Sequence, residues 1–142
     1  MRVEELMTEA TCCSEGDSVR ECAKTMKEAD IGFLPVCDAQ GAPIGAITDR
    51  DLAIRVLADG RSSDERVSAV MTRDVVGCRV GDDVGRAIDL MRNERKSRVM
   101  VCDSQGKLQG VISLQDLAEY ESEDETGETV QEVKSDTPPP LH

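Results

Sequence analysis

The feature that most constrains this chain is an internal repeat. Residues 16–53 align with residues 81–118 at a constant offset of 65 without a gap, and 14 of those 38 positions are identical. Among the shared residues are Gly16/Gly81, Asp17/Asp82, Met26/Met91, Val36/Val101, Cys37/Cys102, Gly45/Gly110 and Asp51/Asp116. Upstream, Met7-Thr8 matches Met71-Thr72 at an offset of 64, so the copies differ there by one residue. A duplicated segment carries the same local preferences and the same apolar face twice, so the chain is expected to build one small unit two times.

Each copy reads alike. A short strand, near residues 11–13 and 75–78, leads into a Gly-Asp turn and a helix. Val19, Cys22, Ala23 and Met26 in copy one, and Val84, Ala87, Ile88 and Met91 in copy two, recur at the spacing of an amphipathic helix on a core. Asp17 and Asp82 are the expected N-caps. Two strands joined by a polar turn follow, over 33–38 and 44–48, then 98–103 and 109–113, with Gly41 and Gly106 supplying the permissive turn backbone. A second helix is expected over 49–57 and again from 114 to about 120.

The predicted fold class is therefore α/β of the α+β kind, a tandem of β-α-β-β-α units. Such a unit covers one sheet face and leaves an apolar surface that a second copy can cover, so the two are expected to pack as one intramolecular pair. The expected boundaries are 1–58 for the first repeat, 59–66 for a polar linker and 67–120 for the second repeat. Residues 121–142 are expected to form a disordered acidic tail.

Composition narrows the function. The net charge of −12 opposes binding to a phosphate backbone, so nucleic acid is not an expected partner. No apolar run has the length of a signal peptide or a membrane span, which predicts a cytoplasmic chain without a membrane partner. The six cysteines form no CxxC pair and the single histidine is His142, so neither a structural metal nor a Ser-His-Asp or Cys-His centre is expected. Without an export signal the thiols are expected to be reduced. Cys37 and Cys102 read as small core residues, and adjacent Cys12 and Cys13 should point to opposite faces of their strand.

The most specific repeated string is Gly-Ala-Ile-Thr-Asp-Arg-Asp-Leu from Gly45, echoed by Gly-Val-Ile-Ser-Leu-Gln-Asp-Leu from Gly110. In both, a strand ends in a hydroxyl residue, Thr48 or Ser113, with a carboxylate three residues on, Asp51 or Asp116. One reading is a capping box, in which the hydroxyl caps the helix and the acid reaches back. The other is a polar site at a helix start.

The surrounding residues resemble a known family. Ile-Gly-Phe-Leu-Pro-Val from Ile31, an Asp-x-x-Gly turn and the string GAITDRDLAIR resemble the cystathionine β-synthase (CBS) domain, as do the Met-Thr pairs, the element order and the repeat itself. The resemblance covers residues 1 to about 120 and is greatest to small free-standing bacterial CBS pairs. It implies a dimerising regulatory module, not an enzyme, that binds an adenosyl ligand between its repeats and signals to a protein partner. AMP, ADP, ATP, S-adenosylmethionine and, in some members, NAD(H) are the implied ligands, with or without Mg²⁺.

By the same resemblance Asp51 and Asp116 would hold the ribose diol, with Thr48 and Ser113 beside them. A carboxylate can accept from both ribose hydroxyls, which gives that role a physical basis. Arg98 would meet phosphate, whereas copy one has Phe33 at the equivalent position, and Arg50 is a second candidate cation. Adenine would lie near Thr11, Ile31 and Gly32. Copy two departs from the pattern at Lys96, Met100 and Gln115. Two other readings stand beside the sensor: a ligand-free dimerisation or docking scaffold, and a thiol redox sensor that rests on the cysteine count alone.

Overall fold

The computed structural model describes residues 1–124, and the expected acidic tail lies outside the described residues from 125 onward. The chain divides into two compact units that do not coincide with its halves. One unit is Thr11–Val75, and the other joins Met1–Ala10 to the described residues from Val76 onward. Each Met-Thr arm thus folds with the body of the other repeat. The sequence boundaries 1–58 and 67–120 divide the repeats, while the compact units exchange the arms between them.

In the unit Thr11–Val75, β2 (Cys13–Ser14) is followed by α2 (Val19–Ala29), β3 (Phe33–Cys37), β4 (Pro43–Thr48), a turn of helix α3 (Asp49–Asp51) and a π-helical stretch (Leu52–Leu57). A 3₁₀ turn (Val67–Ala69) completes it. The sheet order is β2-β3-β4, with β2 parallel and β4 antiparallel to β3. The other unit opens with α1 (Val3–Leu6) and β1 (Thr8–Glu9), then β5 (Gly77–Arg79), α4 (Val84–Glu94), β6 (Arg98–Cys102), β7 (Leu108–Ser113) and α5 (Leu114–Asp124). Its sheet runs β1-β7-β6-β5. In the first unit Thr72 bridges Ala46 of β4, which is the counterpart of β1 on β7.

The helix starts show why the arms are held. A helix leaves its first N–H groups without intrahelical partners. At α2 those of Val19 and Arg20 donate to the carbonyls of Glu65 and Ser63 at 2.9 and 3.1 Å, and that of Glu21 donates to the Ser18 hydroxyl at 3.1 Å. The linker is therefore pinned across the helix end. At α4 the Val84 N–H donates to the Met1 carbonyl at 2.9 Å and the Gly85 N–H to Asp83 Oδ2 at 2.9 Å.

The N-caps are Ser18 and Asp83, one residue beyond the expected Asp17 and Asp82. Those aspartates instead brace the preceding turn, where Oδ2 accepts the N–H of Ser14 and of Arg79, each at 2.9 Å. Both hairpins repeat one device. Asp38 Oδ1 accepts from the N–H groups of Gln40 and Ala42, Asp103 Oδ1 from those of Gln105 and Lys107, and Gly41 and Gly106 both take φ of 82°.

The core of the first unit includes Val19, Cys22 and Met26 from the expected stripe, with Leu34, Val36 and Ile47 from the sheet and Val67, Val70 and Met71 from the arm. Ala23, read as part of that stripe, is exposed, while its counterpart Ile88 packs against the other core. That second core gathers Val84, Ala87, Met91, Val99, Val101, Ile112 and Leu117, with Val3 of the arm fully buried. Burying each Val, Leu, Ile or Met side chain among these contributes about 1.5–3 kcal/mol.

The first strands lie one or two residues later than expected. The last helix continues past Tyr120 to Asp124, and Glu121, assigned above to the tail, is buried on it. Cys37 is buried as expected, whereas Cys102 is half-buried.

Candidate functional site

Gly45 and Gly110 lie at corresponding places in β4 and β7, and each lies under a Met-Thr arm. A Cβ on Gly45 would sit 2.7 Å from the Thr72 carbonyl oxygen and 2.8 Å from Met71 Sδ, and one on Gly110 would sit 2.8 Å from the Thr8 carbonyl oxygen. Only a bare backbone admits the arm there. From these glycines each strand runs three residues further to its hydroxyl residue, Thr48 or Ser113, where the candidate sites begin.

In the first unit Thr48 is the N-cap of α3. Its hydroxyl accepts the Asp51 N–H at 3.1 Å, and its own N–H donates to Asp51 Oδ2 at 3.0 Å. The second unit reproduces this closely, with Asp116 N–H to Ser113 Oγ at 3.1 Å and Ser113 N–H to Asp116 Oδ2 at 2.8 Å. Both motifs are therefore capping boxes, and one carboxylate oxygen of each acid is held by backbone. A carboxylate has about four acceptor positions, so these bonds leave room for further donors. All four residues are half-buried.

Strand register fixes what stands beside them. Phe33 pairs directly with Thr48, and Arg98 directly with Ser113. The Asp49 N–H donates to the Gly32 carbonyl at 3.0 Å, and the Leu114 N–H donates to the Ser97 carbonyl at 2.8 Å. The fold thus brings Gly32, Phe33, Thr48 and Asp51 together in one unit, and Arg98, Ser113 and Asp116 together in the other. Ile31 directly precedes Gly32 and is 36% exposed, too open for a core position. Thr11 is exposed, in the segment just before β2. Arg50 is exposed on α3, where its N–H donates to Asp49 Oδ1 at 2.8 Å.

One residue went unremarked in the sequence. Arg55 places Nε 3.7 Å from Asp51 Oδ1 and donates from Nη1 to the Val70 carbonyl at 3.0 Å. It ties the candidate carboxylate to the segment that leads into the Met-Thr arm. The signal was present as an Asp-to-Arg i,i+4 pair on a helix, a spacing that puts opposite charges on one face. The equivalent position in copy two is Tyr120. The units therefore share a frame but not its charges: Phe33 and Arg55 flank the acid in one, Arg98 and Tyr120 stand at the same places in the other.

Among the described residues no group of three or more His, Cys, Asp or Glu side chains could hold a metal ion, and no helix is long and apolar enough to cross a membrane.

Known proteins share the sequence pattern and the fold of this chain. The family model described as "CBS domain" matches twice, over residues 3–58 and 67–123. A 17.7 kDa protein of Acidianus ambivalens is 39% identical over 71% of this chain, and the chain spans 60% of that relative's length. The CBS domain-containing protein YhcV of Bacillus subtilis is 34% identical over 80% of this chain and 79% of its own. A CBS domain protein from Pyrobaculum aerophilum, solved in complex with AMP, superposes with a TM-score of 0.73 at 23% identity, over 82% of this chain and 90% of that one. With both repeats matched and both built as mixed α and β units, this chain belongs to the CBS domain family as a tandem pair.

Proposed function

We propose that this chain is a regulatory module that binds an adenosyl ligand and transmits its occupancy to a protein partner, as a homodimer and without catalysing a reaction. The observation that carries the reading is the duplicated helix start. In each unit a half-buried carboxylate and a hydroxyl stand at a helix N-terminus, oriented by reciprocal backbone bonds, with one strand position directly opposite. In this reading Asp51 and Asp116 accept from the ribose hydroxyls, each such charge-assisted bond contributing about 1.5–3 kcal/mol. Thr48 and Ser113 lie beside the ribose or phosphate oxygens, where the helix dipole favours negative charge. Arg98 supplies phosphate charge in one unit. Ile31, Gly32, Phe33 and Thr11 offer the apolar and backbone surface for adenine in the other. That a relative was solved with AMP supports this ligand class.

The test is a thermal-unfolding panel of AMP, ADP, ATP, S-adenosylmethionine and NADH, with and without Mg²⁺. A true ligand at a hundredfold excess over Kd stabilises the folded state by about 2.7 kcal/mol. Asp51→Ala lowers the baseline through its cap, so the reading is the ligand-induced increment, which should fall for at least one ligand. Asp116→Ala measures the other unit in the same way. A second reading, a scaffold that dimerises or docks without a small molecule, draws on a specific observation: both carboxylates already serve as caps, and Asp51 also faces Arg55. A panel with no shift from any nucleotide selects the scaffold.

A further inference from the structure

We propose that Cys13 and Cys22 are a peroxide-oxidisable thiol pair that closes to a reversible disulfide inside the unit Thr11–Val75. The two residues come from different elements, β2 and the first turn of α2, and their sulfurs lie 3.3 Å apart. Both are buried, Cys13 at 6% and Cys22 at 0% exposure, and the Cys13 sulfur also lies 3.7 Å from the Pro35 carbonyl. A disulfide needs about 2.05 Å between sulfurs, so closure requires the two sulfurs to approach by about 1.3 Å.

The other repeat is the built-in comparison. Cys78 occupies the place of Cys13 and makes the same contact, its thiol 3.6 Å from the Met100 carbonyl where that of Cys13 is 3.7 Å from the Pro35 carbonyl. Facing Cys78, however, is Ala87 in the place of Cys22. Core packing is served by either residue, since Ala87 and Cys22 are both fully buried. The second thiol in one repeat alone is therefore not explained by the fold.

The chemistry has a direction. The Cys13 S–H can donate to a Cys22 thiolate, which holds the Cys22 pKa below its usual value against the opposing effects of burial and of Asp17 and Glu21. For Cys13 the same bond and its burial push the pKa up. Cys22 is thus the sulfur of the pair that carries more thiolate and is assigned the attack, which requires a local opening of the unit because both thiols are buried. Its thiolate takes one oxygen of a hydroperoxide, breaking the O–O bond and releasing the other as water or alcohol after protonation, to give a sulfenic acid. The Cys13 thiol then attacks that sulfur, the S–O bond breaks, and the hydroxyl leaves with the Cys13 proton as a second water. Two thiols are oxidised and one peroxide is reduced. A small-molecule dithiol reverses the step by exchange.

The experiment uses the full chain, reduced and then treated with hydrogen peroxide, blocked with N-ethylmaleimide under denaturing conditions and digested with trypsin. Cleavage after Arg20 separates the two sulfurs, so the expected product is peptide 3–20 linked to peptide 21–24, released by dithiothreitol. Cys12→Ser should leave this link intact and Cys13→Ser should remove it. Cys22→Ala, which copies the natural residue of the other repeat, should remove it with the fold kept, as judged by far-UV circular dichroism. Full maleimide labelling of Cys22 after peroxide, a link that survives Cys13→Ser, or one that needs Cys12 would each overturn the proposal.

Discussion

Replacing Gly45 by alanine tests the exchange of arms directly. Gly45 lies in β4 opposite Val36, and the residue after it, Ala46, exchanges both backbone hydrogen bonds with Thr72 at 2.9 Å. An added methyl group would stand 2.7 Å from the Thr72 oxygen, 2.8 Å from Met71 Sδ and 3.2 Å from Met71 Cε. The methionine end can rotate away, but the carbonyl is tethered by the bonds to Ala46. Either the methyl is overpacked, at about 1–3 kcal/mol, or the arm lifts and two hydrogen bonds of about 1 kcal/mol each are lost. Reduced entropy of the unfolded chain returns about 0.4–1 kcal/mol. The net expectation is a loss of roughly 1–3 kcal/mol.

The assay is equilibrium urea unfolding followed by circular dichroism, with Gly16→Ala as the control because nothing lies within 4 Å of a Cβ there. Met71→Ala alone should cost about 2–5 kcal/mol by emptying a buried site. Combined with Gly45→Ala it removes one of the two clashes, so the double variant should be more stable than the sum of the single losses predicts by at least about 0.5 kcal/mol. Strict additivity, or a Gly45→Ala midpoint equal to that of Gly16→Ala, would refute the placement of the Met-Thr arm on β4.

Two further outcomes follow from the structure. Ser18→Ala should cost about 1 kcal/mol through loss of the α2 cap, measured by the same unfolding assay, with far-UV ellipticity reporting fraying of that helix. Burial pushes the Cys78 thiol up to about 11 from an ordinary value of 9.0. The neutral thiol is favoured by folding, so its contribution is complete below pH 9 and is lost as pH rises from there towards 11. By pH 10 the loss is about 1 kcal/mol. Unfolding free energies at pH 8 and pH 10 should therefore fall more steeply for the wild-type chain than for Cys78→Ala, and equal slopes would remove the assignment.

The repeated body of the fold was legible because local signals and global packing agree in it. The 3.6-residue stripes and the Asp-x-Gln-Gly turns each act over a few residues, and each appears twice. The arm exchange was not legible from local signals, since it depends on which of two similar bodies Val3 and Val67 meet. A trace of it exists in the change of offset from 65 to 64. It falls between arm and body, the one connection whose length can vary because it joins segments of different units. The N-caps were misplaced by one residue because Gly-Asp-Ser and Gly-Asp-Asp each offer two good caps in succession. The aspartate nearer the strand is drawn into the turn by the N–H of Ser14 or Arg79.

The candidate site was legible in part, because its repeated motif serves the fold as well as the function proposed for it. Thr48-Asp51 and Ser113-Asp116 both close capping boxes, so selection for helix stability alone would preserve the motif twice. The informative positions are those where an unchanged frame carries changed chemistry. Position 33 holds Phe and its counterpart holds Arg98, across the strand from the same hydroxyl. Arg55 pairs with Asp51 where the other copy has Tyr120, so a ligand approaching Asp51 must share it with a cation already 3.7 Å away. Cys22 faces Cys13 where the other copy has Ala87. None of these differences alters a strand, a cap or a turn. The duplicated strands, caps and turns therefore repeat one frame, while the side chains placed on it, and the π-helical stretch that carries Arg55 where the other unit continues as α5, give each unit its own charge and its own reactivity.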